Sequence, residues 1–125
     1  MSANINGGLF REMILEAAWM IDDNKQKLND LNVFPVPDGD TGTNMGLTIG
    51  AAARAVDNKN DDDISTMADT TAMALLRGAR GNSGVILSLL FRGVAKTLKG
   101  SASADAALWA QALQCGISAR AWARL

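Results

Sequence analysis

Residues 32–45, NVFPVPDGDTGTNM, carry two carboxylates, Asp38 and Asp40, one residue apart around a glycine. Thr41, Gly42, Thr43 and Asn44 follow at once. Hard oxygen ligands beside a flexible, donor-rich turn suit a magnesium–phosphate site. A second glycine-rich stretch, RGARGNSG over residues 77–84, offers Asn82, Ser83 and Gly84. Both stretches lead into apolar helical sequence. A helix start carries unsatisfied N–H donors and a partial positive charge, so it attracts phosphate. Two such starts facing each other would hold a polyphosphate, with Asp38 and Asp40 carrying its magnesium from the other side. Magnesium commonly takes one or two protein carboxylates and fills its octahedron with water and phosphate oxygens. Each stretch alone also has a purely structural explanation. DGDTGTN reads as an Asp/Gly turn that caps a helix, and GNSG as a helix–helix turn with a Ser or Asn cap.

Several other chemistries are excluded. GxxxxGK[ST] is absent and neither stretch holds a lysine, so this is not a P-loop. No strand precedes the glycines, as a Rossmann fingerprint requires. Counted from Asp38, the twelfth position of an EF-hand loop is Ile49 rather than a bidentate Glu. Asp61, Asp62 and Asp63 are adjacent without a glycine turn, which reads as a solvated loop suited to the start of the next helix. The chain has no histidine, so Ser-His and Cys-His catalysis and His-containing zinc sites are ruled out within it. Its single cysteine, Cys115, makes no internal disulfide and reads as a small buried hydrophobe in a reducing compartment. A net charge of −1 leaves no basic excess for nucleic acid, and the absence of Tyr argues against a base-stacking platform. There is no leader-like N-terminus and no apolar run of membrane-spanning length. The expectation is a cytoplasmic protein without membrane insertion.

The elements that must position these residues read as helices. Leu9, Met13, Ile14, Ala17, Met20 and Ile21 fall on one face of a helix expected over about residues 6–28. Pro35 and Pro37 hold residues 33–37 extended and deliver the two aspartates to a fixed place. A second helix starts near Gly42 or Thr43, with Thr43 as N-cap, and runs to about Val56. Met45, Leu47, Thr48, Ile49 and alanines 51–53 would pack against neighbours. A third helix covers about residues 64–76, with Met67, Thr71, Ala74 and Leu75 inward. The glycines of residues 77–84 then break the run. A fourth helix resumes with Val85, Ile86, Leu89, Leu90 and Val94, to about Leu98. After a turn over residues 99–103, a fifth helix fills the remainder. With 48% apolar residues and short connections, four or five helices give an all-α bundle, one compact domain or a piece of a larger one over residues 1–125.

NVFPVPDGDTGTNM and GARGNSGVILS, in that order and preceded by LNDLNVFP, resemble the DhaL or DAK2 domain. This is the nucleotide-binding domain of dihydroxyacetone kinases, and the match is nearest to the N-terminal kinase domain of bacterial fatty acid kinases. The resemblance covers about residues 5–118. It implies an antiparallel helical barrel of about eight helices, with ATP and Mg²⁺ at one end. By resemblance Asp38 and Asp40 are magnesium ligands. Asn32 is the nearest match to a third ligand, an aspartate in the dihydroxyacetone kinases, at a spacing one residue longer. Thr41, Gly42, Thr43 and Asn44 resemble the first phosphate-binding loop. Asn82, Ser83 and Gly84 resemble the second, with Arg80 beside it as either a source of charge compensation or a plain surface arginine. The implied activity is phosphoryl transfer to an acceptor held by another protein. That partner is a DegV-like fatty-acid-binding protein, giving an acyl phosphate, or a dihydroxyacetone-binding kinase subunit. The family pattern continues with further helices and a PVEGT-like motif that these 125 residues do not contain. About five of eight helices are therefore expected, with one wall of the nucleotide site missing. Apolar faces, including Trp109 and Trp122, would be uncovered and would favour homo-oligomers. A truncated, non-catalytic helical fragment that keeps the nucleotide motifs is the alternative, and a phosphatase is a third reading.

Overall fold

The computed structural model describes residues 4–31 and 39–118. Five helices follow in order: α1 (Gly7–Asp30), α2 (Thr41–Asp57), α3 (Ile64–Gly78), α4 (Gly81–Leu98) and α5 (Ala106–Ile117). One antiparallel pair, β1 (Ile5–Asn6) with β2 (Ser103–Ala104), ties the segment before α1 to the segment before α5. Two-residue strands are too short to leave an alternating pattern, so the sequence reads as all helix.

Helices consecutive in sequence run antiparallel. At one end, Arg11 of α1 donates from Nε to the Val56 carbonyl (2.9 Å) and from Nη2 to Asp57 Oδ1 (2.9 Å) of α2. At the other end, Asn29 of α1 meets Thr43 of α2. Only Ala79 and Arg80 connect α3 to α4, and a link that short forces a reversal. The bundle therefore has two poles.

The pole holding the starts of α1, α3 and α5 is closed by hydrogen bonds. Asn6, Asp63 and Asp105 each accept a backbone N–H three residues on, from Leu9, Thr66 and Leu108. Such caps each contribute about 1 kcal/mol. Gly7 N–H donates to the Asp62 carbonyl (2.7 Å), and the Ile64 and Ser65 N–H groups donate to the Ala102 and Ser101 carbonyls (2.9 and 3.2 Å). The aspartate run is thus the loop and helix start that the sequence suggests.

Phe10, Ile49, Ile64, Met67, Leu75, Val94 and Leu98 form the buried centre. The inward stripe of α3 is the expected one, with Met67, Thr71 and Leu75 buried. The stripe of α1 is turned from the expected face. Phe10 and Ile14 are buried, while Leu9 and Met20 are about half exposed. Phe10 sets this rotation, since its ring meets Trp109 edge-on at 6.1 Å and 79°. That contact also corrects the expectation for Trp109, which packs against the core; Trp122 lies outside the described residues. On α2, Thr48, Ile49, Ala52 and Val56 are buried but Leu47 is exposed. On α4, Val85 and Ile86 are exposed. The inward face there is Gly84, Ser88, Gly93, Val94 and Leu98, because small residues let α4 cross its neighbours closely. Leu113 and Ile117 of α5 are exposed as well. No described helix is long and apolar enough to cross a membrane.

Candidate functional site

The pole opposite the capped one holds the starts of α2 and α4. These are the two helix starts singled out by the glycine stretches. Neither is capped by a side chain of its own N-cap residue, Asp40 or Arg80, in contrast to α1, α3 and α5. First-turn N–H groups that no protein group takes are left for an outside acceptor.

The two starts touch. Gly81, at φ +65°, lies against the Asn44 side chain, so closely that a Cβ there would overlap the amide. Both the positive φ and the contact call for glycine. Ser83 Oγ donates to the Thr41 carbonyl at 3.4 Å. Gly84 is buried against Thr48. Buried Thr48 joins the two segments: its Oγ1 donates to the Asn44 carbonyl (2.7 Å) and accepts the Arg80 N–H (3.0 Å). One hydroxyl thereby fixes the first turn of α2 against the entry to α4.

The start of α2 is also held by α1. Gly42 is buried on the Lys25 backbone, where no Cβ fits. Asn29 Oδ1 accepts the Thr43 N–H, and Asn29 Nδ2 donates to Thr43 Oγ1, both at 3.0 Å. Thr43 is therefore inside the first turn and is not the N-cap. Asp40 occupies the cap position at φ −123°, ψ 4°, and its carbonyl accepts the Asn44 N–H at 2.9 Å. The capping side chain comes from the preceding helix, a long-range contact that local sequence cannot display. The fourth helix likewise begins at Gly81 rather than after Gly84, so Asn82, Ser83 and Gly84 form its first turn. A single left-handed glycine is enough to reverse the chain there.

Of the residues singled out from sequence, Thr41, Gly42, Thr43 and Asn44 thus lie together with Ser83 and Gly84, while Asn82 and Arg80 are exposed beside them. Asp40 and Gly39 are exposed at the same pole, with Gly39 at φ +68°. Asp38, Asn32, Pro35 and Pro37 lie outside the described residues. Among the described residues no group of three acidic or cysteine side chains is placed to hold a metal. Sequence reasoning missed Asn29 and the joining role of Thr48. The available signal was polarity in the wrong place: a threonine between Leu47 and Ile49 on an inward face needs partners for its hydroxyl.

The chemistry of this pole suits an anion with several oxygens. Backbone donors of two helices, hydroxyls of Thr41 and Thr43, the amides of Asn44 and Asn82, and the Arg80 guanidinium are donor groups at this pole. Asp40 adds a hard oxygen donor for a cation bridging that anion. The buried glycines let the two helix starts pack closely, Gly42 on the Lys25 backbone and Gly84 on Thr48.

Comparison with known proteins gives the family. The DAK2 domain matches residues 35–123, which include both helix starts. An uncharacterized protein of Staphylococcus epidermidis is 45% identical over 117 residues, 94% of this chain and 21% of the relative. An uncharacterized protein of Staphylococcus aureus is 44% identical over 117 residues with the same coverage, 94% and 21%. The chain spans about a fifth of the length of the curated relatives it matches. With the family matched across most of its length, the chain belongs to the DAK2 domain family and is a nucleotide-binding domain of the DhaL type.

Proposed function

We propose that this chain is the ATP- and Mg²⁺-binding domain of a kinase. Its phosphate site is made by the starts of α2 and α4. Thr41, Gly42, Thr43 and Asn44 line one side of the polyphosphate, and Asn82, Ser83 and Gly84 the other. Asp38 and Asp40 hold magnesium, with Asn32 as a further oxygen ligand. Held by these residues, magnesium would supply charge neutralisation for phosphoryl transfer. The contribution of the chain itself is positioning. Thr48 and Asn29 fix the two first turns, and the helix starts direct backbone donors at the phosphates.

The observation that supports this reading most is the meeting of two helix starts, without caps from their own N-cap residues, in a bundle whose other three starts are capped. By family resemblance, the acceptor is held by a partner protein that carries the substrate. We assign that partner to the DegV-like fatty-acid-binding class, with an acyl phosphate as product, and a dihydroxyacetone-binding subunit as the other candidate. The setting is the cytoplasm, where ATP is available.

Calorimetric titration of Mg-ATP into the full chain and into an Asp38→Ala, Asp40→Ala variant tests this reading. Binding that depends on magnesium and falls at least about tenfold in the variant is expected. Equal binding by both proteins would end the metal-site assignment. ATP consumption with a fatty-acid-loaded partner then separates a catalytic domain from a non-catalytic nucleotide module.

A further inference from the structure

An open groove of about 800 Å³ runs along the seam of α3 and α4, on residues that play no part in the proposed phosphate site. It is polarised along its length. Lys59, Arg92, Lys96 and Lys99 stand toward the capped pole, with Asp69 the single acid among the lining residues. Among the described residues none of these four cations is in an ion pair. Toward the other pole the lining is apolar, with Met73 and Leu76 45% and 62% exposed and Leu89 half-buried. Ala72 and Ala95, both small, line the groove between them.

We propose that this seam is a docking groove for an acidic amphipathic helix of a partner protein. Charge complementarity selects the acidic end: four cations against one aspartate leave an excess of three positive charges to be matched. Geometry selects a helix. Two antiparallel helices form a straight trough into which a third helix packs at about 8–10 Å, and alanines in that trough permit close approach. From Ser65 to Leu76 the groove is about 17 Å long, which is about three helical turns. A stripe of apolar residues at i, i+3, i+4 and i+7 would cover Met73, Leu76 and Leu89, and Asp or Glu at one end would meet the lysines. Nucleic acid fits less well, because half of the groove is apolar and no aromatic side chain lines it. A bilayer fits less well because the surface is concave. The inference is independent of the nucleotide reading and stands or falls without ATP.

The test uses the full chain, isotope-labelled, titrated by NMR with a designed helical peptide of about 14 residues carrying a leucine stripe and glutamates at one end. A scrambled peptide of identical composition, phosphatidylglycerol vesicles and a single-stranded polynucleotide are the other arms. The expected result is saturable shifts confined to α3 and α4, and at least about tenfold weaker binding of the scrambled peptide. Binding should also weaken at least about tenfold with Arg92→Glu plus Lys96→Glu, with Leu76→Ser, and as salt rises. These positions are exposed, and circular dichroism of each variant verifies its helix content. Equal binding of the two peptides, no shift at millimolar peptide, or tighter binding of vesicles or polynucleotide would overturn the proposal.

Discussion

The hydroxyl of Thr48 accepts the Arg80 N–H at 3.0 Å across 32 residues of sequence, while it donates to the Asn44 carbonyl at 2.7 Å. One side chain therefore joins both segments of the proposed phosphate site and sets their separation. Thr48→Val keeps the shape and removes both bonds, stranding a part-buried N–H at a cost of about 1–3 kcal/mol. We expect a lower melting temperature together with a larger loss of Mg-ATP affinity than the stability change alone would cause. Thr48→Ser should restore both. Thermal melts with calorimetric titration make the comparison.

Asn29 caps α2 from outside, and its two amide atoms are both engaged by Thr43. Asn29→Ala should destabilise the fold by about 1 kcal/mol, the usual worth of a cap. Asn29→Asp keeps the acceptor for the Thr43 N–H and places a negative charge at a positive helix start, which favours the helix. The same charge repels phosphate. Stability close to the wild type, with clearly weaker nucleotide binding, is the expected outcome for Asn29→Asp. If Asp and Ala variants lost affinity only in proportion to stability, Asn29 would be a plain structural cap.

The crossing of α4 and α5 rests on two glycines. A Cβ on Gly93 would come within 2.6 Å of the Gly116 Cα, with backbone rather than a movable side chain on the other side. Gly93→Ala should destabilise by about 1–3 kcal/mol through overpacking. Gly50, inside α2, meets only the flexible end of Arg54 at 3.5 Å. Gly50→Ala should therefore stabilise by about 0.5–1 kcal/mol through helix propensity. Chemical denaturation of the two variants reads out opposite signs.

Much of this architecture is legible from the chain. Helix count and approximate bounds follow from periodicity and from where Gly, Pro and charge interrupt it. Asp63 as a helix start follows from local chemistry. What is not legible depends on contacts distant in sequence. Thr43 has the right side chain for an N-cap, but Asn29, fourteen residues earlier, takes its N–H. The face of α1 turns because Phe10 finds Trp109, ninety-nine residues away. The start of α4 moves to Gly81 because Asn44 lies where any other residue would place a Cβ. The two glycine stretches are visible in the sequence as helix starts, whereas their contact through Thr48 exists only in the folded chain.

The central claim is that the starts of α2 and α4 form a single phosphate site. Amide NMR of the full chain titrated with ATP, with and without magnesium, tests it most directly. Thr41–Asn44 and Gly81–Gly84 should shift together along one saturation curve, with tighter binding when magnesium is present. Shifts confined to one helix start, two curves with different midpoints, or changes centred on the α3–α4 seam would contradict it.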